Sequence, residues 1–507
     1  MKRFLKGFMS IMLVASSVSG YALTANSNPS FAEDSNGTYL EGQLIVSIEE
    51  NSLPPSRGGD EMSEQVSAIE DAGIQVLDSL LDTEDDMRSM GNDSIGPLNS
   101  DLKEEIIDNM GYVYLVEYPE KAYSNIDEAK AGVEKALEEK GLKVRYVEPN
   151  YQVEAYDLEE TAAPVVAPEV TAPVATPEVV APEATAPVAT PEVVAPEVTA
   201  PVVTPEVVAP EATAPVVTPE VAPLVEEPQA SEYQLHPEQA WHYNMINAPQ
   251  AWTVTEGSPN VKIAVLDTGI DYNHPNLKNF VDLSLGKSFV GGSVMDKQKH
   301  GTHVAGTIAS YGSVSGVMRN ATLIPVKVLG DDGRGSNYGI QQGILYAANI
   351  DADVINMSLG GGGFSKGMNE ACETATNQGV TIVAATGNNS SSSIGYPAAY
   401  DSVLAVGAVN QQKERAYFSQ YGEGLDVMAP GFDIYSTIPN GGFTKLKGTS
   451  MATPHVAGVA GLIKSANGNL SPEEVKNILK QTAQPAGSSY EYGNGIVDAY
   501  AAVNAAK

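Results

Sequence analysis

Ser450 is the residue best placed to do covalent chemistry in this chain. It stands in GTSMATPH, residues 448–455, between a small-residue turn and a run over 451–464 that reads as a helix. A serine at the head of a buried helix has its own backbone N–H aimed at whatever binds there, with the positive end of the helix dipole behind it. That suits a nucleophile attacking a carbonyl, and it equally suits an ordinary N-cap serine. Pro454 falls near the start of the run, where a missing N–H is tolerated. Ala457, Gly458, Ala460 and Gly461 keep the helix thin enough to pack deeply.

The partners of Ser450 decide between those readings. Asp267 ends an apolar run, and a carboxylate there is costly unless it is used. His300 and His303 lie in HGTHVAG, residues 300–306, at the head of a second helical segment, and Asn388 follows VAAT in GNN. A serine hydroxyl is a poor nucleophile until a histidine takes its proton. The histidine needs a carboxylate on its other nitrogen to fix the tautomer and stabilise the imidazolium. The developing oxyanion needs donors, which a side-chain amide and the Ser450 N–H would supply. Spacing does not choose between His300 and His303, which lie three apart on one helical face. A zinc pair is a further option, although nothing near them looks like a third ligand.

These residues need elements to carry them. Residues 261–267, 322–329, 353–359, 380–386 and 402–409 are short apolar runs. Apolar on both faces, they read as buried parallel strands. Helical segments over 302–311, 337–349 and 366–378 alternate with them. The expected fold class is α/β, a doubly wound parallel sheet, whose ligand sites lie at the carboxyl ends of the strands.

Upstream the chain changes character. MKRFLKG opens it with basic residues, and an apolar stretch over 8–18 and then small residues follow. This predicts a secretory signal over 1–32, with candidate cuts after Ala22, Ala25 or Ala32. The apolar stretch is too short to span a membrane, and no second long one follows. One cysteine, Cys372, excludes an internal disulfide and reads as a small buried hydrophobe. Export without disulfides suits a bacterial exterior. Strands over 39–48, 111–118 and 143–156, with helices over 62–72 and 126–139, predict a small α+β split βαβ domain over 37–157. Residues 49–110 are acidic, and part of them reads as a loop insertion. From Thr171 a 14-residue repeat opens again at Thr185, Thr199 and Thr213, rich in proline. Proline at that density forbids helix and central strand, so 158–228 is expected to be a polyproline II linker before a domain over 229–507. The linker could reach on the order of 200 Å.

The 507 residues carry a net charge of −35. Residues 229–507 hold 17 Lys and Arg against 22 Asp and Glu, so the acid belongs to the first part of the chain. That argues against nucleic acid as a partner.

DTGID, HGTHVAGT and GTSMATPHVAG, in that order, resemble the signature segments of the subtilisin family of serine peptidases. VLGDDGRGS, INMSLGG, VAATGN, GYPAAY and LDVMAPG extend the likeness over roughly residues 239–502. The resemblance implies a secreted, monomeric serine endopeptidase. Asp267 is the orienting acid, His300 the general base, Ser450 the nucleophile and Asn388 the oxyanion amide, and His303 merely packs. It implies a cleft edged by Gly333, Gly335, Ser358, Leu359 and Gly360, with a roomy pocket lined by Leu359, Gly360, Ala385, Gly387 and Gly395 that takes large apolar or aromatic side chains before the scissile bond. Met451, beside the nucleophile, is an expected site of damaging oxidation. Residues 143–156 resemble the last strand of the family's propeptide, which templates folding and inhibits the enzyme until removed. The maturation cut falls near Tyr156, leaving the linker on the enzyme, or near Tyr233, removing it. The family commonly binds structural calcium, but its usual Asp is Asn276 here and a usual Asn is Ser313, which removes a carboxylate and a carbonyl from the oxygen cage. No cofactor for catalysis is expected. The rival readings are a selective processing peptidase and an inactive, envelope-tethered binding protein.

Overall fold

Strand Gly257–Asp267 is an interior strand of a seven-stranded sheet in the C-terminal part of the chain. The strand order is Val427–Pro430, Val403–Val409, Thr381–Ala385, Val354–Met357, Gly257–Asp267, Asn320–Lys327, Lys287–Ser288, and every pairing is parallel. The computed structural model describes residues 30–53, 60–81, 95–156 and 234–507. Among them are the five strands expected from the apolar runs, four within two residues at their start and Gly257–Asp267 starting four residues early. The two edge strands, Lys287–Ser288 and Val427–Pro430, are too short for a periodicity signal.

The chain leaves Gly257–Asp267 on one side to build Asn320–Lys327 and returns on the other to build Val354–Met357. The order reverses between these two central strands. Their carboxyl ends therefore splay apart and open a crevice, the usual ligand position in such sheets. Asp267 ends one of them and Ser358 follows the other.

Helix Thr449–Ala466 crosses one face of the sheet and touches its five central and outer strands from Gly257–Asp267 to Val427–Pro430. Everything in it from Thr449 to Lys464 is buried. Its small residues serve close approach: a Cβ on Gly458 would stand 2.6 Å from Val317, and one on Gly461 2.4 Å from the Met318 sulfur. Helix His300–Ile308 packs beside it. Helices Asn337–Asn349 and Lys366–Asn377 pack against each other and against strands of the same sheet.

Pro454 departs from expectation. It lies inside helix Thr449–Ala466, not in its first turn. Its missing N–H is the one that would pair with the Ser450 carbonyl. The Ser358 hydroxyl fills that role, donating to the Ser450 oxygen at 2.9 Å.

The N-terminal part builds an antiparallel sheet ordered Val144–Ala155, Gly37–Ile48, Tyr112–Glu117, Gln75–Ser79, with Phe31–Asp34 folded back on Gly37–Ile48. Helices Glu61–Asp71, Ser100–Met110 and Ile126–Glu138 accompany it. Two elements here lie where the sequence shows no clear element. Helix Ser100–Met110 buries Leu102, Ile106 and Met110, and strand Gln75–Ser79 completes the sheet. Phe31 and Ala32 sit in a strand paired with Leu40 and Tyr39. A cut after Ala32 would remove the first half of that strand, whereas cuts after Ala22 or Ala25 would leave it whole. Those two alanines and the repeat tract lie outside the described residues.

The N-terminal sheet and the C-terminal domain belong to one compact unit. The last residues of Val144–Ala155 leave their own sheet. They pair antiparallel with Arg334–Ser336 on one side and Leu359–Gly360 on the other.

Candidate active site

Asp267, at the carboxyl end of its strand, is fully buried, as is His300 at the head of helix His300–Ile308. The His300 Nδ1 lies 2.8 and 3.0 Å from the two Asp267 carboxylate oxygens. The Thr268 N–H donates to the same carboxylate at 2.7 Å. A buried carboxylate persists only when its lone pairs are used, and these are.

The turn before His300 is held by a residue that sequence reasoning missed. The Asp296 carboxylate accepts from the backbone N–H groups of Gln298, Lys299 and Thr302 and from the hydroxyls of Thr268 and Thr302. The Gln298 side-chain oxygen then accepts from the His300 N–H at 2.7 Å. The signal was an Asp four residues before HGTHVAG, a turn-forming type in front of a helix. His303, on the same helix, sets its Nε2 against the carbonyl oxygens of Ile434 at 2.9 Å and Thr444 at 3.2 Å. It makes a packing contact away from Asp267.

Ser450 is buried in the first turn of its helix. Its hydroxyl donates to the Ser358 carbonyl oxygen at 2.8 Å. The same oxygen accepts the Tyr156 N–H at 3.3 Å, so the hydroxyl and the Tyr156 amide stand side by side. The Tyr156 carbonyl oxygen accepts from the Asn388 side-chain amide at 2.7 Å. The other end of that amide is fixed: the Asn388 oxygen accepts from the Thr449 N–H at 2.9 Å and the Thr449 hydroxyl at 3.0 Å. Gly448 has φ +157, and a Cβ there would stand 2.5 Å from the Tyr156 carbonyl oxygen.

The segment that reaches this point is Gln152 to Tyr156. Gln152, Val153 and Glu154 face Ser336, Gly335 and Arg334, and Ala155 and Glu154 face Leu359 and Gly360. The Ala155 N–H also donates to the Gly333 carbonyl at 3.0 Å. This is strand addition, in which backbone pairing holds an extended peptide and side-chain pockets sort it. The Tyr156 ring lies against Gly360, where a Cβ would approach to 2.5 Å, and its hydroxyl lies against Gly395, where the figure is 2.9 Å. Burial pushes the Tyr156 phenol up, so it stays neutral there. Ala385 ends strand Thr381–Ala385 and is buried; the atoms nearest a Cβ on Gly387 belong to Gln420. Val153 is buried among Ile340, Leu359, Met368 and Tyr400, with only about 10 Å³ of cavity left beside it.

The site uses side chains and backbone amides. Among the described residues no group of three or more His, Cys, Asp and Glu is arranged to hold a metal ion. Cys372 is buried, and burial pushes its thiol up, away from reactivity. No helix of the described residues is long and apolar enough to cross a membrane.

Comparison with known proteins bears on the same region. The family model described as Subtilase family matches residues 258–495. Subtilisin BL of Lederbergia lenta is 48% identical over 267 residues, 52% of this chain and 97% of that protein. Alkaline elastase YaB of Bacillus sp. (strain YaB) is 44% identical over 287 residues, 56% of this chain and 74% of that protein. Subtilisin DY of Bacillus licheniformis is 47% identical over 252 residues, 48% of this chain and 90% of that protein.

Proposed function

The chain belongs to the subtilase family and is a subtilisin-type serine endopeptidase, and from that premise we propose that it matures by cutting itself after Tyr156. The observation that carries this reading is the Tyr156 carbonyl, held by the Asn388 amide next to the Ser450 hydroxyl. The same geometry supports the assignment of roles.

The Ser450 hydroxyl turns from the Ser358 oxygen and attacks the carbonyl carbon of residue 156. Its proton passes to the His300 Nε2, because Nδ1 is committed to Asp267. The negative Asp267 stabilises the imidazolium and holds the ring's tautomer. Charge moves to the carbonyl oxygen, where the Asn388 amide and the Ser450 N–H donate to it. The intermediate collapses, the C–N bond breaks, and His300 returns the proton to the leaving amine. Water then attacks the acyl-enzyme by the same route in reverse, releasing the carboxylate and restoring the Ser450 hydroxyl.

Cleavage of other proteins follows the same path. Backbone pairing along 333–336 and 358–360 asks little of sequence, so specificity is broad. The space taken by the Tyr156 ring favours a large apolar or aromatic residue before the cut. The small pocket around Val153 favours a compact apolar residue three positions further upstream. The N-terminal domain acts as folding template and as inhibitor, since its last strand fills the cleft. The N-terminal signal, cut after Ala22 or Ala25, exports the precursor.

A cut at this place leaves the repeat tract on the mature enzyme, as an N-terminal extension starting at Asp157. N-terminal sequencing of the secreted, active form tests this. The expected first residues are Asp157, Leu158, Glu159 and Glu160. A mature chain starting close to Tyr233 would reject the assignment, and so would normal maturation of the Ser450→Ala protein in a protease-free preparation.

A further inference from the structure

Subtilase family membership implies a structural calcium ion close to Asn276 and the loop after helix His300–Ile308. A calcium site needs six to eight oxygen donors turned on one point, with carboxylates to balance the charge. The groups around this loop do not fit that requirement. Asn276 is buried and gives its side-chain N–H to the Val314 carbonyl oxygen at 3.3 Å. The group facing that carbonyl must be the nitrogen, because two oxygens would repel. The Ser315 carbonyl oxygen accepts the Tyr243 hydroxyl at 2.6 Å and the Gln239 amide N–H at 2.9 Å. The Gln239 oxygen is used too, accepting from the Ser315 N–H at 2.9 Å. Ser313, where the family often has an asparagine, is exposed.

A cation is already built in. The Arg319 Nε donates to the Ser315 hydroxyl at 3.0 Å. Its guanidinium lies 3.9 Å from the Trp252 ring centroid and 5.4 Å from that of Tyr311. The Arg319 side chain is 7% exposed, and the carboxylate it meets, Glu256 at 3.3 Å, balances it. A dication near Ser315 would face this fixed positive charge across a part-buried, low-dielectric space, with Asn276 offering no negative charge in return.

We propose that the loop over 310–319 is locked by the chain's own donors, with the Arg319 guanidinium in the role that calcium plays elsewhere in the family. Stability at this loop is then independent of calcium. The inference rests on the fold and not on the catalytic assignments.

The test is hydrogen exchange on the full-length Ser450→Ala protein, which cannot digest itself, in excess EDTA and in excess calcium chloride. The readout is the amides of Ser315, Gly316 and Val317, which donate to the Gln239 oxygen and to the Ser310 and Thr307 carbonyls. The expected result is the same exchange rate in both solutions. Arg319→Met on this background should speed exchange by about tenfold in both, through loss of the buried hydrogen bond and the stacked cation. Arg319→Lys, which keeps charge but not the planar fork, should fall between. If Arg319→Met does not fold, the Lys variant decides. Slower exchange of these amides with calcium in the unmodified loop would overturn the proposal, as would exchange unaffected by loss of the guanidinium.

Discussion

Pro454 and Ser358 explain each other. A proline inside helix Thr449–Ala466 strips the partner from the Ser450 carbonyl, and the Ser358 hydroxyl supplies it. The Asn356 amide donates in turn to the Ser358 hydroxyl at 3.0 Å. The Ser450 backbone is thus tied to the end of strand Val354–Met357, next to the segment that pairs with Ala155. Ser358→Ala should leave a buried carbonyl without a donor, at a cost of about 1–3 kcal/mol. The Ser358 backbone oxygen, which receives the Tyr156 N–H, would survive the change. Turnover should therefore drop by about tenfold with KM nearly unchanged, and Ser358→Thr should restore it. A rise in KM at constant turnover would place the role of Ser358 in substrate binding. The sequence made Ser358 legible as a cleft residue, but not what its hydroxyl does. That required knowing that Pro454 sits past the first turn, and helix starts are the least certain feature of a sequence pattern. Asp267, His300, Asn388 and Ser450 stand out in the sequence as residues of chemical type at strand ends and helix heads. His300 and His303 were not separable by spacing, and what tells them apart in space is Asp267.

Three helices meet at buried imidazoles. His242 of helix Pro237–Met245 lies 2.9 Å from His455 of helix Thr449–Ala466, nitrogen to nitrogen. The His455 Nδ1 faces the Met451 carbonyl at 2.8 Å, so it carries the hydrogen and Nε2 accepts. His242 then donates from Nδ1, and both rings are neutral. Burial holds His455 down to about 4 and His303 down to about 3, and it lowers His242 as well. Unfolded histidines titrate near 6.5. The unfolded chain therefore takes up protons first as pH falls. The stability of the neutral rings is complete above about pH 6.5 and is lost progressively below it, by roughly 3 kcal/mol for His455 alone if the titration runs to its end. The denaturation midpoint of the Ser450→Ala protein should be level from about pH 9 to 7 and fall steeply toward pH 5. A flat profile over that lower range would show that the pair is not neutral in the fold. At this scale the central strands are legible because they are continuous apolar runs. Helix Ser100–Met110 is hard to see among its acids, although Leu102, Ile106 and Met110 repeat every four residues. Their spacing was the available signal.

The two folded parts of the molecule grip each other through more than the strand in the cleft. Glu148, on the strand that ends in the cleft, accepts from the Ser365 hydroxyl at 2.7 Å and from the N–H groups of Lys366 at 2.9 Å and Gly367 at 3.3 Å. It caps helix Lys366–Asn377 from outside the domain that owns that helix. Asn150 does the same for helix Asn337–Asn349, accepting from the Tyr338 N–H at 3.1 Å. Arg145 pairs with Glu370 at 3.1 Å and is largely covered. Cleavage after Tyr156 breaks none of these bonds, so the cut enzyme should stay inhibited until the N-terminal domain leaves. Glu148→Ala would strand three donors at a helix N-terminus, where an acceptor is worth about 1.5–3 kcal/mol. Active-site titration after the cut should then show the lag before full activity shortened by roughly 10–100-fold. Burial outweighs the three donors and pushes the Glu148 carboxyl up to about 7, from the 4.5 of a free glutamate. Forming the interface thus takes up a proton. Its hold is strongest below about pH 4.5 and weakens as pH rises to about 7, beyond which this contribution no longer changes. The lag of the parent enzyme should shorten over the upper part of that range, while Glu148→Gln, which keeps an acceptor but cannot titrate, should lose the dependence. An unchanged lag in Glu148→Ala would mean that the strand in the cleft alone sets the rate of release.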